Sequence, residues 1–439
     1  MTLRVRFDRA LVALSPPPGP VVVAVSGGPD SLALLDLLAG SGAAGRLRLH
    51  VGHVDHGIHP ESGRAADLAR AAAARYGLPF HLRRLDLGPA ASETRAREAR
   101  YAALTALADE LGAAAIFTAH HQDDQVETVL MRLLKGSGPA GLAGMAGRSR
   151  RLFRPLLRFE RAELAAWVRA AGLESWDDPA NRDPRHLRSW IRTALLPALR
   201  ERVPDVEPRM LTLARAAARD RAAWDAVLDV LPGLDLRSES TGVSVAAAPL
   251  TGYDSGVVRA VLSALGRRVG LVIGPVRAAR IERLLSKGRS GAVAELGADV
   301  AAELSFDRLR LFRGALHPWT ALAIDAAPGR AEVGGWVLEW RWEAAPERVE
   351  RVEDGTWLEA GRYLLRPGRP GDRIRPLGAP GRRLVVRCLQ EARVPRSLRA
   401  TWPVIESDGE IVWIPGVCRS SAAVPTPGTR ALRIDAHQR

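Results

Sequence analysis

The chain has 439 residues, a length that suggests about two to four domains, with room for a sizeable core in the first. Its 63 Lys and Arg residues outnumber 49 Asp and Glu residues, and the net charge of +14 indicates a polyanionic partner such as a nucleic acid. The two cysteines form no ligand pattern, no apolar run is long enough to cross a membrane, and no secretory leader is recognisable. We therefore expect a soluble cytoplasmic protein with no membrane partner, disulfide framework or iron–sulfur cluster.

The first 150 or so residues alternate between strand and helix patterns. Apolar, partly β-branched segments bounded by turn residues predict strands, and segments with helical spacing lie between them. The predicted strands are 21–25, 47–55, 80–87 and 114–119, and the predicted helices are 31–39, 61–76, 92–111 and 124–135. This alternation predicts an α/β domain with a Rossmann-like parallel sheet, covered on both faces, that binds ligands at the carboxyl ends of its strands.

The pattern changes after Gly147. Helical segments dominate first, and a long Ala- and Arg-rich helix over 208–230 is typical of a connector. A small α+β unit follows, and Trp-containing strand patterns lie beyond an Ala-, Pro- and Gly-rich boundary. We predict an α/β domain at 1–205, a helical linker and small α+β middle domain at 206–325, and a basic β-rich domain at 336–435.

A Ser-Gly-Gly-Pro-Asp-Ser sequence joins the first predicted strand to the first predicted helix. In such a turn the backbone N–H groups at the helix N-terminus favour an anion, and glycines let the backbone approach phosphate oxygens. An ordinary strand-to-helix turn with a polar cap is the alternative. We predict that the following residues bind a nucleotide: Ser26, Gly27, Gly28, Pro29, Asp30 and Ser31.

Two other phosphate-binding motifs can be set aside. No Walker sequence occurs, and the Gly-x-Gly-x-x-Gly match at 136–141 follows a predicted helix rather than a strand. A loop without the Walker lysine suits a departing pyrophosphate, with chemistry at the α-phosphorus.

Several stretches resemble a known family. SGGPDS is similar to the loop of the N-type ATP pyrophosphatases, and the remaining stretches narrow the resemblance to the tRNA(Ile)-lysidine synthetases. These stretches are HVDHGIHPES at 53–62, EARY at 98–101, TAHHQDDQVETVLMRLLKGSGPAGLAGM at 118–145, RPLL at 154–157, DDPANRD at 177–183 and RPGDRIRPLG within 366–378.

That family adenylates the C2 oxygen of the wobble cytidine of tRNA(Ile) with a CAU anticodon, and the amine of free L-lysine then displaces AMP. The resulting lysidine pairs with adenosine and switches decoding and charging from Met to Ile. The resemblance implies a catalytic first domain that uses ATP and Mg²⁺, and two further domains that bind the tRNA. A homodimer is compatible with it but is not decided by the sequence.

Two arginines are candidates to stabilise the charge that develops on the phosphates. Arg97 and Arg100 lie three residues apart on one face of a predicted helix. Arg97 is predicted to bind the nucleotide, and Arg100, which the resemblance aligns with a functional arginine, is predicted to be catalytic. A solvated charged face is the alternative for both.

Two carboxylates, Asp124 and Glu127, lie one turn apart where the helix after the fourth strand begins. They are predicted to receive the lysine ammonium or to accept its proton, although the helix dipole alone would also favour them there. Asp55 and His120, after the second and fourth predicted strands, are predicted to contact the nucleotide.

A metal cluster is a further alternative for this region. Its members would be His53, His56, His59, His120 and His121 with Asp55 and Asp123. They lack the helical His-x-x-x-His spacing of zinc enzymes, and adenylation needs only nucleotide-bound magnesium. We therefore predict no protein-held metal centre, and we assign Asp30 to orient Mg²⁺ or its waters.

The segment 361–400 carries eleven arginines and two acidic residues, a net charge of +9. Phosphate backbone is the natural partner of such a segment, and a solvated face is the alternative. The sequence differs from the family here, because RRLV at 382–385 replaces a lysine-rich KKLK and RSWIR at 188–192 replaces RNRIR.

Rival functions fit the sequence less well. A tRNA 2-thiocytidine synthetase also adenylates a cytidine C2 oxygen, but it needs paired cysteines, whereas Cys388 and Cys418 are far apart in the sequence and outside the first domain. A small-molecule ligase would not need the basic carboxyl-terminal domain. A non-catalytic RNA-binding protein would not need Ser26, Asp30, Asp124 and Glu127.

Overall fold

The computed structural model describes residues 1–55, 57, 62–85, 87–88, 93–176, 187–239, 241–314, 319–324, 327–349 and 354–438. The chain divides into two compact units, Met1–Arg221 and Ala222–Arg439. No helix in the described part of the chain is both long and apolar enough to span a membrane.

The first unit alternates strands and helices, as the sequence predicts. Its elements are α1 Leu3–Leu14, β1 Gly19–Ala24, α2 Pro29–Ala39, β2 Leu47–Asp55, α3 Ser62–Arg75, β3 Phe80–Arg84, α4 Glu93–Glu110, β4 Ala115–Phe117, α5 Gln122–Leu134, α6 Pro139–Leu142, β5 Arg148–Ser149, β6 Leu152–Phe153, α7 Arg161–Ala170, α8 Leu187–Trp190, α9 Leu196–Arg202 and α10 Val206–Val230, which extends past the boundary between the units.

The sheet of the first unit has the strand order β3-β2-β1-β4-β6-β5, and every neighbouring pair is parallel except β5 with β6. Alternate residues of β1 pack on opposite faces: Val21 and Val23 belong to one apolar core with α2, and Val22 belongs to another with α4. A strand buried on both faces explains the unbroken valine run. The predicted Rossmann-like fold is confirmed.

The strand order reverses at β1, whose neighbours β2 and β4 continue the chain in opposite directions. In such sheets a crevice opens at this switch point, beyond the carboxyl ends of the strands. The loop after β1 and the segment after β4 therefore lie at the same edge.

The helical region that begins at Leu187 is interrupted. A π-helical turn at Ile191–Leu195 separates α8 from α9, and the N–H of Leu196 donates to the carbonyl oxygen of Ile191. Pro197 has no N–H to donate, so the ordinary hydrogen-bond ladder cannot continue through this point. The turn carries Arg192, which belongs to the candidate site.

The second unit begins with a small α+β region. Its elements are β7 Arg237–Glu239, β8 Gly242–Ala246, α11 Ala247–Gly252, α12 Ser255–Arg268, α13 Pro275–Lys287, β9 Ala292–Gly297, β10 Val300–Ser305 and β11 Arg308–Arg313. The sheet order is β7-β8-β11-β10-β9. Two strands thus precede the helices of this region, and three strands follow them.

The remainder is β-rich, as predicted. Its elements are β12 Leu322–Ile324, β13 Gly329–Val333, β14 Trp336–Ala344, β15 Gly355–Leu358, β16 Tyr363–Pro367, β17 Arg373–Ile374, β18 Arg383–Leu384, α14 Val385–Glu391, α15 Arg396–Arg399, β19 Pro403–Ser407, β20 Glu410–Ile414, β21 Cys418–Arg419 and β22 Arg430–Gln438. Two sheets share one apolar core that contains Trp336, Trp402 and Trp413.

Candidate active site

The loop after β1 has the backbone that a phosphate site requires. Gly27 has a φ of +82°, and a Cβ there would lie 2.8 Å from the carbonyl oxygen of Ala65, so only glycine fits. The Ser31 hydroxyl donates to the carbonyl of Gly28 at 2.8 Å and accepts from the N–H of Ser26 at 3.1 Å. These bonds close the loop over the start of α2, whose N-cap Gly28 provides no side-chain cap.

Asp30 lies in the first turn of α2 with one oxygen engaged and one free. Its Oδ2 lies 3.5 Å from Nε2 of His121, and its buried Oδ1 has no hydrogen-bond partner among the described residues. A buried carboxylate oxygen without a partner among these residues is suited to bind a cation or a water molecule. Oxygen ligands are those that Mg²⁺ prefers, so this residue fits the predicted role.

His121 connects three carboxylates. Its side chain is only 3% exposed, and its ring nitrogens lie 3.5 Å from Asp30, 3.3 Å from Asp123 and 3.5 Å from Asp124. Burial lowers the pKa of His121, but the bonds to Asp123 and Asp30 and the charge of Asp124 outweigh it and raise the pKa to about 10. The imidazole is therefore a cation at neutral pH that joins the loop after β1 to the start of α5.

Asp124 and Glu127 lie together at the start of α5, as their spacing predicts, but arginines occupy both. Arg188 donates to Oδ1 of Asp124 at 2.5 Å and to Oε2 of Glu127 at 2.6 Å, and Arg192 donates to Oε1 of Glu127 at 2.6 Å. Burial would raise the pKa of Asp124, but the charges of His121 and Arg188 keep it below its ordinary value. Two buried carboxylates and two partly buried guanidinium groups thus form one network.

His120 is a neutral neighbour of this network. Its Nδ1 lies 2.9 Å from the Thr118 hydroxyl, and burial together with the charges of Arg154, Arg97 and Arg188 lowers its pKa to about 3, although Asp124 opposes them. At neutral pH it can therefore donate or accept a hydrogen bond without carrying charge.

The remaining predicted residues lie around the same edge. Asp55 ends β2, on the opposite side of β1 from His120, and accepts from the N–H of Gly57 at 3.0 Å. The guanidinium groups of Arg97 and Arg100 lie 5.1 and 5.6 Å from the ring centre of Tyr101. His53 is buried, and its Nδ1 lies 2.8 Å from the Val25 carbonyl, a contact that fixes the orientation of the ring. His56, His59 and the DDPANRD stretch lie outside the described residues.

Sequence reasoning missed three members of the site. The sequence indicated His121 only as a possible metal ligand, and Arg188 and Arg192 only as part of a variant basic motif. Their spacing held a signal, since two arginines four residues apart can face two carboxylates three residues apart on another helix.

Ten of the eleven arginines of 361–400 fall into two groups, and the eleventh, Arg399, is half-buried and donates from Nε to the carbonyl of Val394. Arg366, Arg382, Arg383 and Arg393 form ion pairs with acidic residues. The second group is exposed and forms no ion pair with any described residue; we call its members the open arginines: Arg362, Arg369, Arg373, Arg375, Arg387 and Arg396. Phosphates are better ligands for the second group, because its charges are not already neutralised.

The two cysteines meet in the carboxyl-terminal region. Cys388 on α14 and Cys418 on β21 are both buried and free, and their thiols are hydrogen-bonded to each other. Neither belongs to the unit that carries the phosphate loop, so a sulfur-transfer reaction at that loop finds no cysteine in its own unit.

Comparison with known proteins extends over most of the chain. Residues 4–199 match the family model of the PP-loop domain, and residues 364–436 match that of the TilS substrate C-terminal domain. The tRNA(Ile)-lysidine synthase of Symbiobacterium thermophilum is 33% identical over 464 residues, which cover 95% of this chain and 94% of the relative. Those of Chromobacterium violaceum and Alkalilimnicola ehrlichii are 34% and 33% identical and cover 92% and 97% of this chain and 93% and 95% of the relatives.

Proposed function

Because this chain belongs to the tRNA(Ile)-lysidine synthase family, we propose that it joins free L-lysine to C2 of the wobble cytidine of tRNA(Ile) with a CAU anticodon. ATP is converted to AMP and pyrophosphate. The similarity over nearly the full length of both chains carries this conclusion, and the closed glycine loop with its partnerless Asp30 oxygen supports it.

The first step is adenylation. The cytidine C2 oxygen attacks the α-phosphorus, the bond to the bridging oxygen breaks, and pyrophosphate leaves with the electron pair. Backbone N–H groups at Gly27, Gly28 and the start of α2 hold the phosphates, and Ser26 and Ser31 fix the loop. Arg100 stabilises the negative charge that develops, and Asp55 and neutral His120 contact the nucleotide from the two sides of β1.

Magnesium belongs with the nucleotide. The free Oδ1 of Asp30 is the atom that would hold Mg²⁺ or one of its waters, and the ion would neutralise phosphate charge. His121 fixes the other oxygen of Asp30 and so orients the carboxylate.

In the second step the amine of lysine attacks C2 of the adenylated cytidine, and AMP leaves. The amine must first lose a proton, because an ammonium has no free electron pair. Asp124 and Glu127 are the residues proposed to attract the ammonium or to accept its proton. Their pairing with Arg188 and Arg192 means that lysine competes with a guanidinium for the same oxygens.

We expect the reaction in the cytoplasm, where tRNA, ATP and lysine are all present, and a homodimer stays a prediction from the sequence. The direct test is nucleoside analysis of tRNA(Ile) with a CAU anticodon after incubation with the protein, Mg-ATP and lysine. Lysidine should form only when all components are present, and tRNA(Met) with the same anticodon serves as the specificity control. Absence of lysidine from the complete reaction would overturn the proposal.

A further inference from the structure

Arg154 is a buried cation at the carboxyl edge of the sheet. It follows β6 directly, its N–H donates to the carbonyl of Gly147 at 2.8 Å, and its side chain donates from Nη1 to the carbonyl of Ala146 at 2.9 Å. The residue is 7% exposed, and its buried Nε has no hydrogen-bond partner in the described part of the chain. It forms no ion pair with any described carboxylate.

The neighbours of Arg154 are positive or neutral. Burial lowers the pKa of Arg154, and the charge of Arg97 lowers it further, while the Tyr101 hydroxyl opposes both. Arg97 also acts on Arg132, whose pKa is lowered by burial and by Arg221 and Arg97. Arg97 forms no ion pair with a described residue either, and its guanidinium lies over the ring of Tyr101.

A buried arginine is rarely tolerated without a counter-ion. The acidic residues of α5 are already bound: Asp124 and Glu127 pair with Arg188 and Arg192, and Asp123 contacts His121 and the N–H of Arg161. Apart from the neighbouring Tyr101 hydroxyl, the described residues offer the unpaired Nε of Arg154 no acceptor, so this donor suits an anion that is not among them. Guanidinium groups match the geometry of phosphate oxygens, so a phosphate is the anion expected.

The position of Arg154 separates this anion from the phosphates at the glycine loop. Strand β4 lies between β1 and β6 in the sheet, and adjacent strands lie about 4.8 Å apart, so the ends of β1 and β6 are roughly 10 Å apart. The cytidine that attacks the α-phosphorus must enter beside that loop, and it brings the phosphodiesters of its own strand.

We propose that Arg154 and Arg97 form a second phosphate site, which binds a backbone phosphodiester of the tRNA next to the wobble nucleotide. This assignment rests on the proposed function and gives its tRNA substrate a contact inside the catalytic unit. It also changes the role of Arg97: the sequence predicted that this residue binds the nucleotide, and the proposal assigns it to the tRNA.

The test compares Arg154→Gln and Arg97→Gln with Arg151→Gln. Arg151 lies at the other end of β6, where it pairs with Asp109, and it is a matched control. We expect each test variant to bind tRNA about fivefold to tenfold more weakly, with the salt slope smaller by about one, and to keep KM for ATP within about twofold of the parent. The control should match the parent in all three quantities.

The phosphate that binds Arg154 and Arg97 could instead come from ATP. The tRNA affinity and the KM for ATP together distinguish these two sources. A raised KM for ATP with unchanged tRNA affinity would assign the site to the nucleotide and overturn the proposal, as would test variants that behave like Arg151→Gln. Should Arg154→Gln fail to fold, as urea unfolding would reveal, Arg97→Gln on the surface of α4 decides the question. If the parent binds tRNA but makes no lysidine, the proposed function fails, while the comparison of tRNA affinities still tests the phosphate contact.

Discussion

Arg192 binds both carboxylate oxygens of Glu127, with Nε 2.6 Å from Oε1 and Nη2 3.1 Å from Oε2. The glutamate side chain is 2% exposed, and Arg188 binds it from another direction. Removing one partner of such a pair is strongly destabilising, because it leaves an uncompensated buried charge. The network therefore joins α5 to the turn that carries Arg192.

The first prediction concerns this pair. A double-mutant cycle with Glu127→Gln and Arg192→Gln should give a coupling free energy of unfolding of about 1–3 kcal/mol, because both single variants disrupt the same bidentate ion pair. Urea unfolding of the four proteins measures it. Additive effects of the two substitutions would mean that the bidentate pair contributes nothing to stability.

The second prediction separates the two chemical steps. Asp124→Asn and Glu127→Gln keep the size of the side chains but remove the charge that attracts lysine, so lysidine formation should fall at least about a hundredfold while tRNA-dependent adenylation stays within about fivefold. Pyrophosphate release and lysine incorporation are followed in parallel. An equal loss of both steps would assign these carboxylates to ATP or its magnesium instead.

The third prediction concerns Asp30. Asp30→Asn should abolish adenylation, with a loss of at least about a hundredfold, because the free oxygen proposed to orient magnesium loses its charge. Its tRNA affinity should stay within about twofold of the parent value. Asp67→Asn is the control, since Asp67 is an exposed residue that pairs with Arg70. Near-normal adenylation by Asp30→Asn would exclude this role.

The fourth prediction separates open from paired arginines in the carboxyl-terminal domain. Replacing Arg373, Arg375 and Arg387 together by Gln should weaken tRNA binding and reduce the slope of log affinity against log salt by about one for each phosphate that these side chains no longer bind. Arg383→Gln is the paired control, because Glu391 already neutralises that charge. If the triple variant has the same slope of log affinity against log salt as the parent, these arginines are solvent-exposed charges that do not bind the tRNA.

The fifth prediction is a pH dependence. The hydrogen bond from Cys418 lowers the pKa of Cys388 to about 7, against the effect of burial and with help from Arg383. A lowered pKa stabilises the folded state fully above the unfolded value near 9, and this contribution is lost as the pH falls through 7. The stability difference between the parent and Cys388→Ser should therefore grow by about 1–2 kcal/mol from pH 6.5 to 9.

Urea unfolding at both pH values measures this change, and Cys418→Ser tests its cause. If the thiol of Cys418 lowers the pKa of Cys388, the effect of Cys388→Ser on stability should depend much less on pH when it is measured in the Cys418→Ser background. A difference that is the same at pH 6.5 and pH 9 in the parent would contradict the assignment.

The sequence alone determined what depends on local backbone chemistry. The valine run of β1, the glycines at 27 and 28 and the helix that starts at Pro29 form one strand–turn–helix unit, so the phosphate loop could be predicted without knowledge of distant residues. The alternation of strand and helix patterns likewise predicted the parallel sheet. The spacing of apolar residues in each element shows which of its faces is buried.

Only the tertiary structure decided which charges meet. Arg188 and Arg192 lie more than sixty residues along the chain from the carboxylates they bind. Cys388 on α14 and Cys418 on β21 likewise come from separate elements. Nor could composition tell the paired Arg383 from the open Arg387, or show that Arg154 is buried without a described acidic partner. Ion pairing and burial depend on how separate elements pack, and a net charge of +14 counts every arginine alike until packing has neutralised some and left others free.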